Sequence, residues 1–265
     1  MKNILLFLGL FLLFGSCKNQ PEKLPEAPPK ADILTPAATP AFKYTLTPFT
    51  SSQDFPDAAL KSINYKKGKF MAVIGGTSYK LGEQTPDAPQ KNCANSKEGQ
   101  HIHLIVDNEP YIAKYTDSFD QDIAEGDHYI LAFLSRSYHE SLKNAAASKA
   151  EKVTVKNKSF EKPIPIAGPM LFYSRPKGLY TGADGKKVML DFYLVNADMK
   201  NYHIEADING EKHMLDTWQP YYIEGLPEGD NTITLSLMDV HGQVVNAPLN
   251  PVSRTFKIEK TPAVN

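Results

Sequence analysis

Cysteine is nearly missing from this 265-residue sequence, tryptophan occurs once, and no apolar run reaches the length of a bilayer span. Each shortage excludes something. With only Cys17 and Cys93, the chain cannot be a disulfide-stapled scaffold, so its folded part must hold by core packing. A spanning helix needs roughly 20 apolar residues, whereas the apolar run from Ile4 to Phe14 holds eleven. Charge of one sign is also lacking: 29 Lys and Arg stand against 30 Asp and Glu, which leaves no basic field for nucleic acid. Nucleophile-elbow, phosphate-loop and His-Glu-x-x-His motifs are absent, so no motif argues for an enzyme. Asp117, Asp120 and Asp122 crowd before Glu125 without the spacing of a calcium loop, and read as a solvated acidic loop.

What is present begins at the amino terminus. Lys2 and the short apolar run after it have the proportions of a secretory signal. Gly15-Ser16-Cys17 follows at once and resembles the lipobox of bacterial lipoproteins, with Phe14 where that pattern usually has Leu. The resemblance implies a signal peptide over residues 1–16 and lipid on Cys17; the alternative is an ordinary signal cleaved near Ser16. Multiple acyl chains, at ~0.8 kcal/mol per buried CH₂, would anchor the chain stably to a membrane at the cell envelope.

Residues 17–45 carry Pro21, Pro25, Pro28, Pro29, Pro36 and Pro40 among Glu, Lys, Ala and Thr. Such a stretch cannot bury a core and reads as a disordered tether. Beyond it, turn signals such as Gly75-Gly76, Asp107-Asn108, Asn209-Gly210 and His241-Gly242 separate short runs rich in β-branched and aromatic residues. Residues 101–106, 129–134, 188–195, 203–208 and 232–237 read as strands. One helix is expected, over residues 139–152, where three alanines sit among Lys and Glu.

Two segments overlay on each other. His101-Ile102 with its turn at Asp107-Asn108 matches His203-Ile204 with Asn209-Gly210, an offset of 102; Glu125-Gly126-Asp127 matches Glu228-Gly229-Asp230, an offset of 103. A repeat of about 100 residues is the size of an immunoglobulin-like sandwich. The expected fold is therefore all-β: two tandem immunoglobulin-like β-sandwiches, over residues 46–158 and 166–260. A stiff, unpaired connector with Pro163 and Pro165 is expected between them.

Candidate chemistry concentrates in the first repeat. Residues two apart on a strand face the same way, so His101 and His103 can bind one ion together through neutral imidazoles. His128 opens another expected strand of that sheet, and Cys93 offers a soft ligand; such a set suits zinc or copper. The competing reading is four ordinary side chains of strands and loops. Ser135, Arg136 and His139 lie in the densest polar segment, just after a strand, where a planar guanidinium with hydroxyl and imidazole donors could hold an anion. That segment loosely resembles the Ser-Arg-x-His stretch of forkhead-associated phosphopeptide-binding domains, with one residue too many before the histidine. Trp218 with Tyr221 and Tyr222 reads as core or as a glycan-stacking surface.

Three stretches, 99–107, 126–129 and 135–141, together with Gln84–Gln90 and Tyr173–Gly178, resemble a family of uncharacterised Bacteroidota lipoproteins. Members are sometimes labelled phosphopeptide-binding proteins. The resemblance implies a membrane-anchored binding or scaffolding module with an envelope protein, peptide or glycan as partner, and brings no catalytic residues with it.

Overall fold

A computed structural model describes residues 42–50 and 54–259. The signal segment, Cys17 and most of the proline-rich stretch lie outside the described residues. In chain order the strands are β1 (Thr45–Pro48), β2 (Ala59–Lys66), β3 (Lys69–Gly75), β4 (His101–Val106), β5 (Ile112–Lys114), β6 (Ser118–Asp120), β7 (Gly126–Ser135), β8 (Ser148–Lys156), β9 (Ser159–Phe160) and β10 (Ile164–Pro165). They continue as β11 (Met170–Arg175), β12 (Gly178–Thr181), β13 (Val188–Val195), β14 (Tyr202–Ile208), β15 (Glu211–Leu215), β16 (Tyr221–Glu224), β17 (Gly229–Asp239) and β18 (Val252–Glu259). The chain is all-β and forms two sandwiches.

In the first sandwich the sheet β2-β3-β6 faces the sheet β10-β8-β7-β4-β5. Leu60, Tyr65 and Phe70 from one side meet Ile102, Leu104, Ile130, Leu134 and Val153 from the other. In the second, β1-β16-β13-β11 faces β12-β18-β17-β14-β15. Its core includes Leu190, Phe192, Ile204, Ile233, Leu235 and Phe256. The alternation of β18, buried at every second residue from Val252 to Ile258, is that of a strand with one face in the core and one in water.

The two larger sheets carry the same order, β8-β7-β4-β5 against β18-β17-β14-β15. Their turns agree in detail. Asp107 N and Asn209 N donate to the carbonyls of Tyr129 and Thr232. The side-chain oxygens of Asp107 and Asn209 accept in return from Tyr129 N and Thr232 N, both at 2.8 Å. Both turn residues sit at φ +50°. The repeat is thus a repeat of topology.

Four expectations need correction. Strand β1 does not belong to the first sandwich: it pairs with β16, because Tyr44 buries in the second core with Leu46 packed beside it. The connector is not unpaired either, since β9 and β10 both hydrogen-bond to β8; Pro165, which has no N–H to donate, sits at the sheet edge, where that is tolerated. No helix forms over residues 139–152. Ala145–Ala147 makes one 3-10 turn, and β8 then pairs with β7 from Ser148 to Val155. Long-range pairing overrides local helix preference there. Finally, the sandwiches do not stand apart. Ile105, Tyr111, Leu131 and Phe133 of the first pack against Ile166, Met170, Phe172 and Tyr193 of the second.

Candidate functional site

Strand β4 is buried on both faces. Ile102 and Leu104 point into the first core, so period-two alternation turns His101, His103 and Ile105 toward the other side. Antiparallel pairing sets His103 opposite Phe133 and His101 opposite Ser135 on β7. The apolar seam between the sandwiches therefore runs along the strand from Ile105 and ends in two histidines, neither with any exposed surface.

The third member arrives by a turn. After β7 the chain reverses through Arg136 N to Glu140 O and His139 N to Arg136 O, both 2.9 Å. This folds His139 back over β4. His101 Nε2 then lies 2.8 Å from His103 Nε2 and 3.0 Å from His139 Nδ1. All three ligand atoms fall within 4.8 Å of one another, and among the described residues the cluster takes in no carboxylate and no thiolate. Two nitrogens held ~2.0–2.1 Å from a tetrahedral ion stand about 3.3 Å apart, so the two contacts at His101 Nε2 would each lengthen by a few tenths of an ångström to admit one.

The local chemistry suits ligation. His101 Nδ1 donates to the Gly99 carbonyl at 2.8 Å, which leaves its Nε2 bare and fixes the ring in the manner of an outer-shell partner. Burial holds the His101 imidazole down at about 4 from its ordinary 6.5. It holds those of His103 and His139 well below that ordinary value, with repulsion from Arg175 and Lys177 adding to the effect. All three are neutral at physiological pH, the form a metal requires. Tyr111 stacks on His103 at 3.6 Å and 11°; burial raises its phenol to about 12, and its hydroxyl lies 3.2 Å from His139 Nδ1. Tyr115 packs 5.0 Å from His101. The second sandwich supplies the covering charge: Lys177 Nζ sits 4.2 Å over the Tyr111 ring.

His139 has φ +70°, the left-handed region that costs a β-carbon roughly 1–2 kcal/mol. The repeat shows what ordinarily stands there. In the second sandwich the same turn is made by Asp239 N to Gln243 O and Gly242 N to Asp239 O, each 103 residues on (136 to 239, 139 to 242). Gly242 has φ +73°, and glycine adopts it without strain. A histidine occupies a glycine's position in the first sandwich alone. The other equivalents also differ: His203 faces Asp216, and Glu205 pairs with Lys212.

The remaining expected site residues lie elsewhere. His128 does not join the cluster. Strands β4 and β7 run antiparallel, so the start of β7 lies at the opposite end of the sheet from His101. Its two ring nitrogens are engaged by Asp107 Oδ2 at 2.6 Å and the Ala124 carbonyl at 2.9 Å. Cys93 is a free thiol packed against Phe49, Tyr138 and Met189, and burial pushes it up to about 11. It is no ligand to the histidines. The anion reading of Ser135, Arg136 and His139 also fails. Arg136 is buried with its Nε 3.1 Å from Glu140 Oε2, so its charge is already matched. Ser135 Oγ donates to the carbonyls of Arg136 and Glu140, and His139 turns away to the imidazoles. Trp218 donates to the Phe192 carbonyl and meets Tyr193 edge-on, as part of the packing. Tyr111, Tyr115, Arg175 and Lys177 were not expected at the site. The one sequence signal available was the 103-residue offset, which lays His139 on Gly242.

No protein-family model matches the chain, and no curated protein matches it. Among solved structures, the chain is similar to the fibronectin(III)-like modules of CbhA from Clostridium thermocellum, at 12% identity over 83% of this chain and 97% of that one, with a TM-score of 0.29. It is also similar to the central fibronectin-III array of RIM-binding protein, at 11% identity over 79% and 71%, TM-score 0.27. A third likeness is to domains 4 and 5 of the S-layer protein SbsC, at 13% over 81% and 96%, TM-score 0.21. At these scores the likenesses carry no argument, and the two-sandwich assignment of this chain stands on its own sheets and cores.

Proposed function

We propose that this chain is a non-catalytic binding module of the cell envelope that holds one transition-metal ion, of the zinc or copper class, on His101, His103 and His139. One observation carries the reading: a strained, non-glycine left-handed residue delivers a third imidazole nitrogen to two already paired on β4, where the repeated turn uses glycine. Strain of this kind persists where a function is served. Neutral nitrogens suit zinc or copper better than calcium or magnesium, which take oxygen. The cluster takes in no carboxylate to act as a general base, which favours holding an ion over hydrolysing with it. The sequence of residues 1–17 supports export and lipid anchoring at Cys17.

The test is metal analysis of protein purified without a histidine tag, followed by calorimetric titration of chelator-treated protein with zinc and copper. One ion per chain, lost when all three histidines are replaced by alanine, is the expected result. No metal and no binding heat with either ion would overturn the reading. Anchoring is tested separately, by labelled palmitate that should be incorporated in the wild type and lost in Cys17→Ser.

A further inference from the structure

The site's charge and ligand count say more about which ion it holds. Three imidazoles contribute no negative charge, and the cluster takes in no fourth protein ligand of carboxylate or thiolate type among the described residues. Positive charge lies close by instead. Arg175 is buried, donates to the Tyr180 hydroxyl at 2.9 Å, and has an Nε with no acceptor. No described carboxylate forms an ion pair with it. Lys177 reaches over Tyr111, whose ring stacks on His103 and whose hydroxyl meets His139.

A dication here would meet these cations with twice the repulsion felt by a monocation, in surroundings where charge is poorly screened. It would also enter a buried site without any anionic ligand to offset its lost hydration. Zinc in structural sites is closed by four ligands, commonly including thiolate, and in catalytic sites it keeps a water as the fourth. Cuprous ion carries one charge, is soft, and is satisfied by three nitrogens in a near-planar arrangement. Aromatic rings on two sides of the histidines, Tyr111 and Tyr115, give it a dry wall.

We propose that the ion held at this site is Cu(I), selected over Zn(II) by three neutral ligands set against the Arg175 and Lys177 charges. This rests on the metal reading above. The experiment is competition on the full chain under anaerobic, reducing conditions: Cu(I) against bicinchoninate and Zn(II) against a chromophoric zinc chelator, in wild type and Lys177→Glu, with copper K-edge absorption to count ligands. One Cu(I) per chain with a three-coordinate edge is expected, bound more tightly than Zn(II). Lys177→Glu lies at the rim and should tighten Zn(II) by ~10-fold while tightening Cu(I) by only ~3-fold, the ratio expected when the charge change acts on two charges rather than one. Zn(II) bound as tightly as Cu(I), or a four-coordinate copper edge, would overturn the selectivity and leave the three-histidine site standing. An equal response of both ions to Lys177→Glu would overturn the charge argument. Failure of both ions to bind would overturn the site itself.

Discussion

Replacing His139 by glycine separates a ligand from a structural residue. A β-carbon at φ +70° costs ~1–2 kcal/mol, which glycine removes. Against that stand the extra chain entropy of glycine, about 0.5–1 kcal/mol, and loss of the polar contacts to His101 Nε2 and the Tyr111 hydroxyl, about 1 kcal/mol. The terms nearly cancel, so metal-free His139→Gly should unfold within ~1 kcal/mol of wild type. Gly242 shows that the turn itself accepts the residue. Affinity for the ion should fall by more than the ~10–100-fold that loss of an outer-shell partner alone brings. Urea denaturation with chelator present gives the first number, and competition titration gives the second. A stability loss above ~2 kcal/mol with unchanged metal affinity would mean that His139 holds the turn and is no ligand.

Three further outcomes follow from the same geometry. Metal-free protein should lose stability as pH falls: His101 is held at about 4 when folded against 6.5 when unfolded, so the unfolded state binds the proton first, stability is full above about pH 6.5, and ~3 kcal/mol is lost by about pH 4. His103 and His139, also held low, act with the same sign; a urea midpoint that stays flat across that window would refute the buried neutral cluster. Gly99→Ala should weaken both fold and metal binding, because its new β-carbon would lie 2.6 Å from the Glu83 carbonyl at φ +87° and would displace the carbonyl that orients His101; a variant with wild-type melting and wild-type affinity would contradict this. Lys143→Met should cost ~3 kcal/mol in guanidinium unfolding, since it leaves the fully buried Asp191 carboxylate of the second sandwich without the ammonium at 2.7 Å, and Lys143→Met with Asp191→Leu should recover most of it.

The sandwiches were legible because their evidence is local and repeated. Turn residues bracket short β-branched runs, and the two Glu-Gly-Asp turns lead into β7 and β17. What was hidden depends on contacts far apart in sequence. Ala145–Ala147 with its charged neighbours reads as helix because nothing local reveals that Ser148–Lys156 finds eight partners on β7. Tyr44 reads as the end of the tether and Leu46 as the start of the first domain, and only the second core decides where β1 goes.

The candidate site divides along the same line. His101 and His103 were legible together, because period two places them on one face whatever the sheet does next. His128 was assigned to their group from sheet membership alone, and strand direction removes it. His139 was seen, in the wrong company: read beside Arg136 it suggested an anion, whereas the turn consumes Arg136 in a pair with Glu140 and sends His139 back across β4. The repeat held the means to choose. Carried past the strands into the turn, the offset of 103 sets a histidine against a glycine at a left-handed position, and the strand offset of 102 sets His103 against Glu205. Both differences fall on one cluster and both put an imidazole in the first copy. Two copies of one topology thus differ where three nitrogens meet, and the second copy contributes through Lys177, which covers the site from across the seam. The three proposed ligands all come from the first sandwich, whereas the proposed preference for Cu(I) requires both, because a first sandwich severed from the second would lack the Lys177 charge.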